Sequence, residues 1–167
     1  MKYWKYSPGR RAYYWDYCRD NSLMAIGWQN VGDLSQLLSF DEFTNAVKRA
    51  GWPSGKWNTG DTQLWDLVKR CKIGDIVAAY GRGFILSIGK VKGEYYFDDK
   101  NAIDKTRDIW FSHRRCVKWK SNTGKDVSND EKLYGHPPDT YGTLNKQLTF
   151  YEITDPYTRE IINDLIQ

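Results

Sequence analysis

The hydrophobic pattern of the chain changes period at Gly74, and this change constrains the fold more than any other feature. Before Gly74, residues 39–51 and 61–71 place apolar side chains at helical spacing. After it, residues 75–91 and 109–119 form runs rich in Val, Ile and aromatic residues, as strands do. Helices followed by a series of strands predict an α+β fold, in which helices pack against a sheet built largely from the second half.

Local signals mark where the helices begin. Ser7 as N-cap, with Pro8 at the first helical position, predicts a helix that runs to about Arg19. Ser39 and Glu42 have the spacing of a capping box and open a second helix. Two further helices are expected, beginning at Asp61 or Thr62 and at Asp155-Pro156.

The predicted strands cover residues 2–6, 23–28, 75–80, 84–91, 95–97, 109–119 and 147–153. Gly81-Arg82-Gly83 is a hairpin signal between two of them. This order of elements fits a mixed, partly closed β-barrel with helices packed outside. A chain of 167 residues is long enough for one full core and short for two, so we expect a single domain over residues 1–167.

Composition narrows the function classes. Aromatic residues make up 16% of the chain, with eight Trp and twelve Tyr, and many stand beside charged residues, where they can serve as contact surface. A net charge of +4 is compatible with a polyanionic partner. The three cysteines are far apart and lack a CxxC pair, which argues against a disulfide framework and a zinc site. No apolar stretch near the N-terminus resembles a signal peptide, so a cytoplasmic location is expected.

Three motifs that suggest an enzyme do not hold up. Residues 51–57 resemble a phosphate-binding loop but are one residue short and lack the Ser or Thr that binds magnesium. Asp98-Asp99-Lys100 resembles the end of a nuclease motif, yet no convincing metal-binding partner precedes it. His113 alternates with Arg114 on a strand, which favours a structural role across the sheet over catalysis with Cys116. We therefore predict a binding module with no catalytic residue, metal or cofactor.

Three segments resemble the EVE/YTH branch of the PUA-like superfamily, and most of all the N-terminal domain of McrB-type restriction proteins. Together they span nearly the whole chain. They contain the following motifs: Trp4 to Gly9 with Trp15, Ile26-Gly27-Trp28 and Gly32-Asp33-Leu34; Gly74-Asp75-Ile76-Val77 with Gly81 and Ile88-Gly89-x-Val91; and Trp110-x-x-x-Arg114-Arg115-x-Val117-x-Trp119 with residues 143–148.

The resemblance implies a PUA-like barrel that reads modified nucleic acid by flipping one base into an aromatic pocket. The expected ligand is methylated DNA carrying N6-methyladenine or a related base. The expected setting is a McrBC-like restriction system, whose NTPase motor and nuclease would be separate partners. Two alternatives stay open: an RNA-binding PUA-like domain, and a base-modifying enzyme, which shifted acid or base groups in a polar pocket would favour.

The resemblance also suggests which residues bind. Trp28 matches the first cage Trp of YTH-like proteins, and the backbone carbonyl of Gln29 would accept a hydrogen bond from the base. The second wall is expected between the hairpin and the Arg-Arg strand, where strand alternation separates Tyr96 from Tyr95 and Phe97. The full base-binding prediction is Trp28, Gln29, Tyr96, Tyr95, Ser7 and Tyr6. Phosphate contacts are predicted for Lys5, Arg10, Arg11, Arg82, Arg114 and Lys146.

Overall fold

The structure is a computed structural model that describes residues 1–55, 59–121 and 123–167. These residues form one seven-stranded sheet. The strands are β1 (Tyr3–Tyr6), β2 (Leu23–Ile26), β3 (Ile76–Gly81), β4 (Phe84–Phe97), β5 (His113–Trp119), β6 (Lys125–Asp126) and β7 (Phe150–Glu152). They lie in the order β2-β5-β4-β3-β1-β7, with β6 paired to β4. Strands β1 and β3 are parallel, and the other pairs are antiparallel.

The helices flank this sheet and confirm the α+β prediction. They are α1 (Trp15–Asp20), α2 (Phe40–Arg49), α3 (Gly60–Trp65) and α4 (Pro156–Ile166). Helix α3 continues into a π-helical turn at Asp66–Arg70, and short 3-10 turns occupy Arg10–Ala12 and Gln29–Val31. No helix in the described parts of the chain has both the length and the hydropathy that crossing a membrane requires.

The capping signals of α2 and α4 act as predicted. The Ser39 side chain accepts the backbone N–H of Glu42, and the Glu42 carboxylate accepts the N–H of Ser39 at 2.7 Å. Asp155 caps α4 through the N–H of Thr158 at 2.7 Å. These signals work because donor and acceptor lie within one turn of each other, so no distant contact is needed.

The predicted helix from Ser7 to Arg19 is wrong in its first half. Gly9 has a φ of 77°, and Arg11 and Ala12 also have positive φ, so only a 3-10 turn forms before α1 starts at Trp15. A side chain on Gly9 would meet the Tyr14 ring at 2.6 Å, so this bend depends on glycine.

The sheet curls but does not close within the described residues, so the predicted barrel is not confirmed. Its two ends, β2 and β7, are not paired with each other. Instead the buried Tyr6 hydroxyl donates to the Ala25 carbonyl at 2.9 Å and accepts the Ala25 N–H at 3.1 Å. Because Ala25 lies on an edge strand, this hydroxyl satisfies the two main-chain groups that a further strand would have paired.

Strand β4 is longer than predicted and β5 is shorter. Residues 84–97 form a single strand, with a register irregularity between Val91 and Tyr95 where it faces β5. Strand β5 starts only at His113, because Phe111 has a φ of 41° and interrupts the extended backbone. Residues 98–112 therefore form a loop between the two strands.

The core has two parts. One contains Trp4, Tyr6, Met24, Ile26 and their buried neighbours, together with residues of α2 and α3. The other contains Tyr3, Ile76, Ile88, Leu133 and Ile162 and lies against α4. Burial on both sides holds the ends of β1, β2 and β5 in fixed positions.

Candidate functional site

The ends of β1 and β2 meet the start of β5 around the ring of Phe111. A side chain built on Gly9 or Gly27 would lie 3.5 Å or 3.8 Å from this ring, so the ring contacts both backbones. Tyr14 meets Phe111 edge-on, with ring centroids 5.4 Å apart. Gly9, Tyr14, Gly27, Trp28 and Phe111 together form what we call the strand-end cleft.

Trp28 is the most unusual residue of the strand-end cleft. Its backbone is left-handed, with φ 62° and ψ 34°, which is a rare conformation for a bulky side chain. Its indole is half-buried and packs on the backbone of Gly60, where an added Cβ would lie 2.8 Å from Nε1. Helix α3 therefore begins with a glycine because the indole occupies the space that a side chain would need.

A chain of hydrogen bonds fixes the Trp28 backbone. His113 Nε2 lies 3.0 Å from the Trp28 carbonyl, and His113 Nδ1 lies 2.9 Å from the Tyr95 hydroxyl. The Leu34 N–H donates to the same hydroxyl at 3.3 Å. Burial lowers the pKa of His113 to about 4, so the ring is neutral at physiological pH. Since a carbonyl only accepts, Nε2 carries the proton and donates to Trp28, while Nδ1 accepts from Tyr95.

Arg114 holds the loop 98–112 against the strand-end cleft. Its guanidinium donates to the carbonyls of Phe111 and Trp110, each at 2.9 Å, and to the carbonyl of Asn101. It also forms an ion pair with Asp98 at 2.7 Å. Arg114 is only 1% exposed, so the predicted phosphate contact is wrong, because all of its donors point into the protein.

Backbone strain is concentrated at the strand-end cleft. Trp28 and Phe111 of the strand-end cleft have positive φ, and so do Arg11 and Ala12 in the turn between Gly9 and Tyr14. Each such conformation costs on the order of 1–3 kcal/mol and persists only where the surroundings enforce it. Such strain is typical of sites that clamp a ligand.

The structure separates the predicted base-binding residues. Trp28 and the exposed Gln29 lie at the strand-end cleft, as does the half-buried Ser7, which follows β1. Their contact with a base stays a prediction. Tyr6 is fully buried and serves the core, and Tyr95 is committed to the hydrogen-bond chain through His113. Both lack a free edge for a base.

Tyr96 is also a predicted wall of the base pocket, and the register of β4 argues against that role. It pairs with Arg114 in the register, whereas Tyr95 and Phe97 both contact the ring of His113. Because alternate residues of a strand face opposite sides, Tyr96 points away from the hydrogen-bond chain that ends on Trp28. Phe111 is the aromatic side chain that the strand-end cleft contains instead.

The predicted phosphate-binding residues fall into an exposed group and a buried one. Arg10, Arg11 and Arg82 are exposed, and they come together because Gly81 packs directly on Ala12. Lys146 is exposed at a different place, beside Tyr151. Lys5 is 2% exposed and donates to the carbonyls of Lys146 and Leu148, so its predicted phosphate contact is wrong. Burial lowers the pKa of Lys5 to about 7.

Sequence reasoning missed Phe111 and Tyr14, and it did not connect His113 to Trp28. One signal was available: Phe111 stands directly before the segment that enters β5, beside the Trp110 of the family motif. Trp52, which is 45% exposed, was also missed. Its Nε1 donates to Asn30 at 2.8 Å, two residues after Trp28.

The described residues contain no cluster of His, Cys, Asp and Glu that could hold a metal ion. Asp98 accepts the N–H groups of Lys100 and Asn101 besides its ion pair with Arg114, so it serves the loop structure. The sequence that resembles a phosphate-binding loop, residues 51–57, lies partly outside the described residues.

A solved structure supports the fold. The chain is similar to the YTH domain of the Zygosaccharomyces rouxii MRB1 protein, solved in complex with N6-methyladenosine RNA, with a TM-score of 0.53 and 11% identity over 99% of this chain and 86% of that one. It also matches protein Atu2648 from Agrobacterium tumefaciens, with a TM-score of 0.49 and 12% identity over 99% of this chain and 93% of that one. The first match shows a YTH-like fold.

Among curated proteins, none matches this chain. One family model does match over residues 4–137, which is most of the chain, and its description is a domain of unknown function, DUF8426. The chain therefore has a YTH-like fold and belongs to the DUF8426 family.

Proposed function

We propose that this protein is a nucleic-acid reader that holds one modified base at the strand-end cleft, with the Trp28 indole as a stacking surface. The observation that carries this proposal is the left-handed backbone of Trp28, which the neutral His113 holds in place. A strained, bulky aromatic residue fixed by a buried hydrogen-bond chain is costly for a purely structural position. It is useful where a planar ligand must find a preformed surface.

The charges around the strand-end cleft agree with this proposal. Arg10, Arg11 and Arg82 lie close to the bend that follows β1. None of them has an ion pair among the described residues. A base that leaves its stack carries its own phosphate and those of its neighbours to the protein surface, where such arginines can bind them. Arg107 adds a cation 4.4 Å from the centroid of the Tyr13 ring, which contacts Tyr14 of the strand-end cleft.

We propose DNA carrying N6-methyladenine as the first ligand, and a McrBC-like restriction system as the setting, on the basis of the sequence resemblance. RNA is the second candidate, because the MRB1 YTH domain was solved with an N6-methyladenosine RNA. We further propose that the chain itself is not an enzyme. The carboxylate that resembled a nuclease residue, Asp98, is committed to Arg114.

The proposal is tested by binding of matched oligonucleotides at fixed salt: duplex DNA, single-stranded DNA and RNA, each with and without N6-methyladenine or 5-methylcytosine. Stacking of one base contributes about 1–3 kcal/mol, so Trp28→Ala should weaken binding of the preferred modified oligonucleotide by roughly tenfold or more. Tyr141→Ala removes an exposed aromatic side chain from the loop that precedes β7 and serves as the matched control. It should leave binding unchanged.

Modification-dependent binding that Trp28→Ala abolishes would support the reader proposal and identify its base and nucleic acid. Preference for RNA over DNA in the same series would replace the restriction setting with RNA recognition. Equal, weak and salt-sensitive binding of every oligonucleotide by all three proteins would refute the reader proposal.

A further inference from the structure

A cavity of the described residues lies away from the strand-end cleft. It is a groove between α3 and β7 with a volume of about 460 Å³, which we call the α3–β7 groove. This volume lies in the range of roughly 300–1,000 Å³ typical of small-ligand pockets. Neither Trp28 nor Phe111 lines it, so the proposed base-binding function does not account for it.

A fixed amide lies in the wall of the α3–β7 groove. The Gln63 Oε1 accepts the N–H of Thr149 at 2.9 Å and the N–H of Phe150 at 3.1 Å. These two bonds set the orientation of the carboxamide, because only its oxygen can accept them. The Nε2 group therefore points away from these two N–H groups, and within the described residues both of its donors remain for a ligand.

The acidic residues of the α3–β7 groove are neutralised within the protein. Arg70 pairs with Asp66 at 2.7 Å and also with Glu152. Lys2 pairs with Glu152 at 3.4 Å. Lys146 has no ion pair in the described part of the chain, and its Nζ lies 5.6 Å from the centroid of the Tyr151 ring. The groove therefore presents one uncompensated cation, next to an aromatic ring.

Three half-buried aromatic side chains complete the walls. Phe40 and Trp65 meet edge-on with centroids 5.9 Å apart, and Tyr151 lies on the side of β7. Aromatic side chains stack on any nucleobase. A fixed amide can donate to the acceptor atoms of the base, and an unpaired lysine can bind its phosphate. All three requirements of a nucleotide are present in one groove of suitable size.

We propose that the α3–β7 groove binds a nucleotide, with the base against the aromatic walls, a ring acceptor on Gln63 Nε2 and the phosphate on Lys146. The nucleotide is either a free mononucleotide or one belonging to a bound strand. This proposal does not depend on the function proposed for the strand-end cleft.

The test is calorimetric titration of the full chain with AMP, with adenosine and inorganic phosphate as partial ligands. NMR follows the Gln63 side-chain amide and the Trp65 indole. We expect saturable AMP binding that shifts both signals, and binding at least tenfold weaker in Lys146→Glu. Lys90→Glu reverses an exposed charge on β4 and should leave the affinity unchanged. The Gln63 and Trp65 signals separate this site from the strand-end cleft, because both side chains line the α3–β7 groove.

Competition identifies the source of the nucleotide. If a single-stranded oligonucleotide displaces AMP from the wild type, the groove holds a nucleotide of the strand, and if AMP stays bound beside it, the groove takes a free nucleotide. No saturable binding at millimolar AMP would overturn the proposal. So would binding that Lys146→Glu leaves intact, or binding that shifts neither the Gln63 nor the Trp65 signal.

Discussion

His113 has a structural role that depends on its being uncharged. Its two nitrogens are both used, one by the Tyr95 hydroxyl and one by the Trp28 carbonyl, and the ring is excluded from water. Protonation would give two donors and leave Nδ1 without an acceptor unless the Tyr95 hydroxyl turns away. The conformation of Trp28 is thus coupled to the charge of a residue far away in sequence.

This coupling predicts a pH dependence of stability. The pKa of His113 is about 4 in the folded state against 6.5 in the unfolded chain, so between these values the unfolded state binds more protons. Stability from this residue is complete above pH 6.5 and falls by about 3 kcal/mol as the pH drops to 4. Urea unfolding at a series of pH values should show this fall, and His113→Gln, which keeps one donor and one acceptor, should flatten it. His136→Gln removes an exposed histidine and should not; equal slopes in all three proteins would contradict the prediction.

Lys5 predicts a pH dependence of stability with the same physical origin, but at higher pH. Its pKa is about 7 in the folded protein against 10.5 in the unfolded chain, because burial between the Tyr80 and Tyr151 rings disfavours the charged form. Between pH 7 and 9.5 the unfolded state holds the extra proton, so stability rises by about 1.4 kcal/mol per pH unit. Lys5→Met should lose this rise in denaturant titrations, and Lys90→Met, at an exposed site, should keep it. A rise that persists in Lys5→Met would assign it to another group.

Among the elements, the contact of Trp28, which follows β2, with Gly60 of α3 offers a direct test of the indole position. In Gly60→Ala the new Cβ would lie within 3.0 Å of the Trp28 ring, and the ring is the part that can move. We expect stability within about 1 kcal/mol of the wild type, since alanine is the better helix former. Binding of the preferred modified oligonucleotide should weaken several-fold in fluorescence anisotropy. Gly124→Ala, whose Cβ meets nothing closer than 4.0 Å, is the control, and unaltered binding by Gly60→Ala would place the base elsewhere.

The sequence predicted those elements whose signals are local. The capping box at Ser39 and the hairpin at Gly81-Arg82-Gly83 need only residues within one turn, and both are confirmed. The bend at Gly9 could not be foreseen in the same way, because it depends on Phe111, about a hundred residues later. Arg114 was taken for a surface charge because its carbonyl partners belong to a loop with no sequence signature of its own.

The strand-end cleft shows the same division. The apolar run before Trp28 correctly predicted a strand, but β2 ends at Ile26, so Trp28 follows the strand and does not belong to it. Which face of β4 turns toward Trp28 was not, because it depends on the register with β5. Strand alternation correctly separated Tyr96 from Tyr95 and Phe97. Only the pairing of Phe97 with His113 showed that the Tyr95 and Phe97 face of β4 is the one that contacts the hydrogen-bond chain to Trp28.

At the scale of the molecule, the Tyr6 hydroxyl connects the two ends of the open sheet by its hydrogen bonds to Ala25. Tyr6→Phe keeps the ring in the core but leaves the outward N–H and carbonyl of Ala25 without their partner. A buried polar group that loses its hydrogen bond costs about 1–3 kcal/mol. We expect a loss of that size in the free energy of unfolding, measured by urea denaturation with an unchanged slope. Tyr3→Phe removes a hydroxyl that bonds Asn163 at the surface and should cost less; equal losses would argue against the bridge.

The Tyr6 bridge also bears on how a ligand could reach the interior. A closed barrel can widen only by breaking main-chain ladder bonds, and these separate cooperatively along a strand. Here the Tyr6 side chain spans the gap between β2 and the β1–β7 pair. Its hydrogen bonds to Ala25 can break and re-form while every strand keeps its neighbours. Opening this gap therefore requires a rotamer change of Tyr6 and no unpairing of strands.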